Sequence, residues 1–279
     1  MAFVKGAYDW KHKVVVVTGA STGIGAAFAR ELAARGAHLV LVARGQARLQ
    51  ALAEELAAAH RVEPTVLALD LATPGASAHL LAQLRERGLG VDVLINNAGF
   101  GTYGSFGELS GPLQREEIDL NIGALVELTH AFLPDVLARQ GGFIQVASTA
   151  AFQPVPYMAV YAATKAFVLS FSEALWGEYR SQGVRVLALC PGATETPFFE
   201  RVGSDAAALG KRATPEAVVR TGLAAFARNR SYVIHGTANY LIAQSTRLAT
   251  REMSIKLTAR IMGPARSPIA ADPAISKNG

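Results

Sequence analysis

The chain has 279 residues, 51% hydrophobic and 18% charged, with a formal net charge of +5. That balance suits a sizeable buried core and excludes an intrinsically disordered chain. The single cysteine, Cys190, excludes an intramolecular disulfide and a thiol metal cluster, and the dispersed basic residues form no dense block of the kind that grips nucleic acid.

Val14–Val17 reads as the first strand. It runs into Thr18-Gly19-Ala20-Ser21-Thr22-Gly23-Ile24-Gly25, and the Ala-rich stretch Ala26–Arg35 behind it reads as a helix closed by Gly36. A strand that turns through glycines into a helix gathers free backbone N–H groups at the positive end of a helix dipole, the setting a pyrophosphate needs. The same glycines would also serve ordinary strand-to-helix packing. The second strand, Leu39–Ala43, ends at Ala43-Arg44, where an NAD-binding chain usually carries a carboxylate for the ribose 2′-hydroxyl. Ala43 removes that repulsion and Arg44 offers a charge-assisted contact to a 2′-phosphate, so NADP is expected over NAD. The plain alternative is that Arg44 and Arg48 are solvated surface charges.

A helix over Gln46–His60 follows, then apolar runs at Thr65–Leu69, Val91–Ile95, Phe143–Ala147, Val184–Leu189 and Tyr232–Ile234. Most are continuous rather than alternating, as in strands covered on both faces. With helices between them they predict an α/β fold, a doubly wound Rossmann-type parallel sheet of about seven strands. One domain is expected over 1–262, with a helical extension at 239–262 and a flexible tail at 263–279. No run approaches the roughly 18 apolar residues of a spanning helix and the N-terminus has no signal-peptide core, so a cytoplasmic location is expected. Cys190 reads as a buried strand residue. The six histidines have no metal-ligand spacing, and no metal is expected.

Ser148 closes the fifth of these strands, thirteen residues before Tyr161, and Tyr161-x-x-x-Lys165 places a phenol and an ammonium one helical turn apart. The Tyr–Lys spacing alone is a weak signal. A strand-end Ser beside it strengthens it, because ligands of open α/β sheets bind beyond the carboxyl ends of strands. Each residue also has a bland reading: a strand-end hydroxyl for Ser148, a core aromatic for Tyr161, turn formers for Asn96 and Asn97, and a satisfied buried amide for Asn121.

Taken together, the Thr18–Gly25 turn, Asp70-Leu71, Asn96-Asn97-Ala98-Gly99, Asn121, Ser148, Tyr161-x-x-x-Lys165 and Pro191-Gly192 followed by Thr196 resemble the short-chain dehydrogenase/reductase family, over roughly Lys13–Ile234. The resemblance implies cofactor binding by Gly19, Ser21, Thr22, Gly23, Ile24 and Gly25, with Arg44 at the 2′-phosphate. Asp70 and Leu71 would flank the adenine, Asn97, Ala98 and Gly99 would line the cleft, and Pro191, Gly192, Thr194 and Thr196 would hold the nicotinamide amide. It further implies catalysis by Asn121, Ser148, Tyr161 and Lys165, with Asn121 anchoring a water-linked proton path behind Lys165. Lys165 and Tyr161 would also bind the nicotinamide ribose.

The residue types fit that chemistry. Hydride delivery to a ketone builds negative charge on its oxygen, which a phenol can protonate while a hydroxyl donates a hydrogen bond. In the reverse direction a free phenol, with a pKa near 10, is a reluctant base, so a downward shift of Tyr161 is expected from Lys165 and the oxidised nicotinamide. The loops bordering the substrate in this family carry Phe100, Tyr103, Phe106, Phe152, Pro154, Tyr157, Met158, Phe198 and Phe199, an apolar rim suited to a hydrophobic ketone or an acyl group. The expected enzyme is therefore an NADP-dependent carbonyl reductase or alcohol dehydrogenase, a homodimer or homotetramer assembled through the helices of Asn121 and Tyr161. A catalytically silent redox-sensing protein would show damage at Tyr161 or Lys165, and an epimerase or dehydratase of the extended family would need a larger C-terminal domain. Residues 239–262 mix aliphatic with basic residues and are expected to pack on the substrate rim or a second subunit, with membrane contact the weaker alternative.

Overall fold

The structure, a computed structural model, describes residues 8–202 and 211–263. The expected tail, Gly263 apart, lies outside the described residues. Seven parallel strands form one sheet in the order β3-β2-β1-β4-β5-β6-β7. They are β1 (Val14–Thr18), β2 (His38–Ala43), β3 (Thr65–Ala68), β4 (Val93–Asn96), β5 (Gly142–Val146), β6 (Arg185–Cys190) and β7 (Tyr232–Ile234). The order reverses between β1 and β4, and at such a switch point the loops on either side part and leave a crevice at the carboxyl edge.

The strands alternate their side chains between two cores. Val15 and Val17 of β1 pack with α1 (Gly23–Ala34), α2 (Gln46–His60) and α8 (Pro215–Ala227) on one face. Val16 turns to the other face, against α3 (Ala76–Glu86) and α5 (Leu125–Ala138). Because both faces are covered, the central strands are apolar throughout, and β5 is buried along its whole length. Cys190 is fully buried at the end of β6, and desolvation pushes its thiol up.

Arg35 caps α1 and Gly36 follows it at φ +75°, the left-handed position in which a glycine releases the chain from a helix. Between α4 (Gly111–Ile118) and α5 the backbone makes a π-helical turn, Asp119–Ala124, that contains Asn121. Contrary to the sequence expectation, the continuous helical run Gly111–Ala138 is long and apolar enough by length and composition to cross a bilayer. Leu128, Phe132 and Val136 in it are spent on the sheet, which accounts for that composition. Beyond α6 (Ala159–Tyr179) and the short α7 (Phe198–Val202), the last described elements are α9 (Thr237–Ser245) and α10 (Arg251–Met262), the expected helical extension broken in two.

Candidate active site

At the carboxyl edge a cleft of about 1290 Å³ runs from Arg44 across the switch point to Met262. Its floor at the β1 end is built from hydrogen bonds between two strand ends. The Thr18 hydroxyl donates to Ile95 O at 3.2 Å and accepts from the N–H groups of Asn97 and Ala98 at 2.9 and 3.0 Å. Asn97 Nδ2 returns two bonds, to Thr18 O at 2.9 Å and Gly19 O at 3.3 Å. This lattice brings the β1 turn so close to the β4 turn that a Cβ on Gly19, at φ +63°, would meet Ala98 Cα at 2.9 Å. Thr18 closes the first strand and is the hub of this arrangement. The sequence alone assigns it no role of its own, although its place at the strand end is visible there.

Gly19, Ser21, Thr22, Gly23, Ile24, Arg44, Asp70, Leu71, Asn97, Ala98, Gly99, Pro191, Gly192, Thr194 and Thr196 all line the cleft, as do Ser148, Tyr161 and Lys165. Two expected site residues do not. Gly25 sits behind the turn, where a Cβ would lie 2.3 Å from Gly19 O, so it permits close helix–strand packing and leaves the wall of the cleft to its neighbours. Asn121 is also behind the wall, 1% exposed, with its amide fully engaged. Nδ2 donates to Phe100 O at 2.8 Å and Thr164 Oγ1 at 3.1 Å, and Oδ1 accepts from Phe100 N at 3.1 Å. The side chain ties the loop after β4 to α6, the helix that carries Tyr161 and Lys165.

Ser148 caps the turn that follows β5, its Oγ accepting from Ala150 N at 3.1 Å, so the hydroxyl hydrogen remains available to another acceptor. Lys165 is 6% exposed and its Nζ donates to Val146 O at 2.8 Å, with the ammonium 5.7 Å from the centre of the Tyr161 ring. Burial lowers the pKa of Lys165 to about 8, against which Glu117 and Cys190 pull upward. With the chain's own groups alone, Tyr161 moves upward, whereas the downward shift is expected from Lys165 together with the oxidised nicotinamide. Desolvation pushes it up to about 12, the Ser148 hydroxyl opposes this, and Glu117 adds to the rise. The chain's own groups thus hold the phenol in its protonated form.

Glu117 is a second feature that the sequence alone does not single out. It is wholly buried on α4, one turn before Asn121; its Oε2 accepts from Thr102 Oγ1 at 2.8 Å, and among the described residues its Oε1 has no hydrogen-bond partner within ordinary distance. Burial raises its pKa to about 7, with Thr102 and Lys165 pulling it down. A carboxylate one helical turn from a site asparagine is the signal that could have found it.

Toward its other end the cleft becomes apolar, lined by Phe152, Val155, Met158, Phe198 and Met262. Tyr161 packs against the ring of Phe198 at 5.3 Å. Of the expected rim, Phe106 is 66% exposed and, with Tyr103, Pro154 and Tyr157, does not line this cleft. Tyr103 and Tyr157 instead pack around Met262, and Tyr103 Oη donates to Met262 O at 2.6 Å. The C-terminal segment therefore lies against the apolar end of the cleft.

The glycine turn at the switch point, with a serine, a tyrosine and a lysine converging beyond it, defines a dinucleotide-dependent oxidoreductase. Residues 13–207 match the family model described as short chain dehydrogenase, and the chain belongs to that family. It is similar to a short-chain dehydrogenase from Sphingobium yanoikuyae solved in complex with NADPH, with 34% identity and a TM-score of 0.76 over 93% of this chain and 98% of that one. It also resembles the bulky-bulky ketone specific alcohol dehydrogenase of Comamonas testosteroni, at 29% identity and a TM-score of 0.72 over 95% and 99% of the two chains. Among curated proteins, the very-long-chain 3-oxoacyl-CoA reductase of Bos taurus is 31% identical over 82% of this chain and 74% of its own length.

Proposed function

We propose that this protein is an NADP(H)-dependent carbonyl reductase that transfers hydride between the nicotinamide and a hydrophobic ketone or secondary alcohol, with acyl-type ketones included. The observation that carries the reading is the convergence, in one cleft, of Tyr161, Ser148 and Lys165 between a glycine cradle with Arg44 at one end and an apolar chamber at the other. The cradle fits the cofactor on structural grounds, since its floor would be filled by any side chain at Gly19. Arg44 stands half-exposed at the rim with Nη1 3.9 Å from Asp70 Oδ2 and 3.5 Å from Glu116 Oε1, and a 2′-phosphate would give this guanidinium a stronger acceptor. When bound, the cofactor supplies or accepts the hydride.

The remaining steps belong to the chain. Ser148 donates a hydrogen bond to the carbonyl oxygen, and Tyr161, held protonated, delivers the proton as negative charge develops there. Lys165 lies close enough to the ring to stabilise the phenolate left behind. Asn121 holds α6 against the loop after β4 and so fixes the spacing of these groups. The NADPH complex of the Sphingobium relative and the ketone and acyl substrates named for the other two support the cofactor and substrate classes. Leu113, Ile118 and Phe167 expose apolar surface on α4 and α6, which supports a homo-oligomer assembled through that face. The test is oxidation of NADPH, followed by absorbance, with a panel of aryl and long-chain alkyl ketones and sugars. Turnover confined to polar sugars would overturn the substrate class, and turnover with NADH alone would overturn the cofactor.

A further inference from the structure

The outer face of α9 and α10 inverts the usual pattern of a surface helix. A helix lying on a water-soluble protein buries its aliphatic stripe and shows polar residues to solvent. Here α10 turns Ser254, Thr258 and Met262 inward and exposes Met253, Leu257 and Ile261, each set spaced at four residues along one side of the helix. Of the twelve large apolar side chains exposed among the described residues, eight lie between Tyr240 and Ile261, and Leu248 in the turn joining the two helices is 92% exposed. No face elsewhere in the described residues concentrates them so.

The charges on this segment are mostly of one sign. Between Thr237 and Gly263 the basic residues are Arg247, Arg251, Lys256 and Arg260, all exposed, and the only acidic residue is Glu252, paired with Lys256 at 2.7 Å. Contact with a second copy of the chain through a two-fold axis would set this surface against itself and bring like charges together. An anionic lipid surface meets both requirements, taking the aliphatic side chains into the acyl boundary while the long basic side chains reach phosphate headgroups. On their inner side the same two helices contribute Ala243, Thr246 and Met262 to the cleft, so these helices would stand between the apolar chamber and a surface docked on their outer side.

We infer that the α9–α10 face docks this protein peripherally on an anionic bilayer, so that the wall of the substrate chamber lies against the lipid. The docking is independent of the reading of the cleft; only the delivery of a lipid-dissolved ketone rests on it.

The experiment is co-sedimentation of the full-length protein with phosphatidylcholine vesicles and with vesicles in which a third of the lipid is phosphatidylglycerol. Binding is expected to the second kind, and to fall at high salt. Arg251→Gln with Arg260→Gln should weaken it by about thirtyfold, and Leu248→Gln with Leu257→Gln by at least about tenfold. These positions are exposed and outside the catalytic cleft, so all variants should retain melting temperature, NADPH affinity and turnover of a small water-soluble ketone. That control separates a failure of docking from a failure of the proposed activity. Equal binding to both vesicle types, or none at low salt, would overturn the inference. So would a protein that stays in solution while Leu248→Gln with Leu257→Gln halves its assembly mass, since the face would then be a contact between copies.

Discussion

The glycine turn and the C-terminal helices face each other across one cleft, yet they are held by opposite means. At the turn, hydrogen bonds from Thr18 and Asn97 cross-link the ends of β1 and β4, and a single added carbon would collide with backbone. At the other end the rim is closed by the insertion of Met262 among Val155, Met158 and Ala162 and by one hydrogen bond from Tyr103. The first arrangement has one solution, while the second tolerates any side chain of similar size and polarity. A family can therefore keep its cofactor end and vary its substrate end, and the two ends should respond differently to substitution.

The largest effect is expected between them. Tyr161→Phe should lower kcat by about a thousandfold, within the range for removal of a general acid, with NADPH affinity nearly unchanged because Lys165 would still hold the ribose. Lys165→Ala should damage both turnover and affinity. Stopped-flow turnover with fluorescence titration of NADPH checks the pair, and a Tyr161→Phe enzyme of near wild-type rate would remove the phenol from the mechanism.

At the cofactor end, Arg44→Ala should weaken NADPH binding on the order of tenfold to a hundredfold, the worth of a charge-assisted hydrogen bond, while leaving NADH nearly unaffected. Equal losses for the two nucleotides would show that Arg44 does not read the 2′-phosphate.

A smaller effect is expected behind the wall of the cleft. Glu117 has its folded pKa raised to about 7, above the ordinary carboxylate value of 4.5. Its contribution to stability is neutral below the unfolded pKa, turns unfavourable as pH rises between the two values, and is fully unfavourable above about 7. Glu117→Gln should therefore match the wild type near pH 5 and gain about 1–2 kcal/mol at pH 8, seen as a melting temperature that falls less with pH. A difference of the same size at both pH values would assign the effect to an altered hydrogen bond with Thr102.

The smallest effect should come from the rim. Met262→Ala should raise KM for a long-chain ketone by severalfold, with little change for a short one, because burial against the Met262 side chain is worth roughly 1–2 kcal/mol only to a substrate that reaches it. An equal effect on both substrates would mean that α10 supports the catalytic groups themselves.

Much of the cofactor end is legible in the chain. The order of the strands, the glycine turn, the missing carboxylate after β2 and the Ser148–Tyr161–Lys165 spacing are local patterns, since a strand–turn–helix junction forces particular residue types within a few positions. The seven strands lie within one or two residues of their expected bounds. The rest needs residues distant in sequence to meet. Gly25 and Asn121 sit behind the wall because of what packs on them, and Glu117 becomes a buried acid only when the loop carrying Thr102 closes over it. The Tyr161 shift follows burial more than the charge of its helical neighbour, which the spacing alone does not foretell. Residues 239–262 look ambiguous as a string because no clean stripe marks an inner face. The sequence by itself determined the doubly wound fold and singled out the serine, tyrosine and lysine proposed to react, which rest on short-range stereochemistry. Only the tertiary structure decided which residues are desolvated, which way α10 turns its aliphatic side and how the cleft is closed, because burial is set by the sum of distant neighbours.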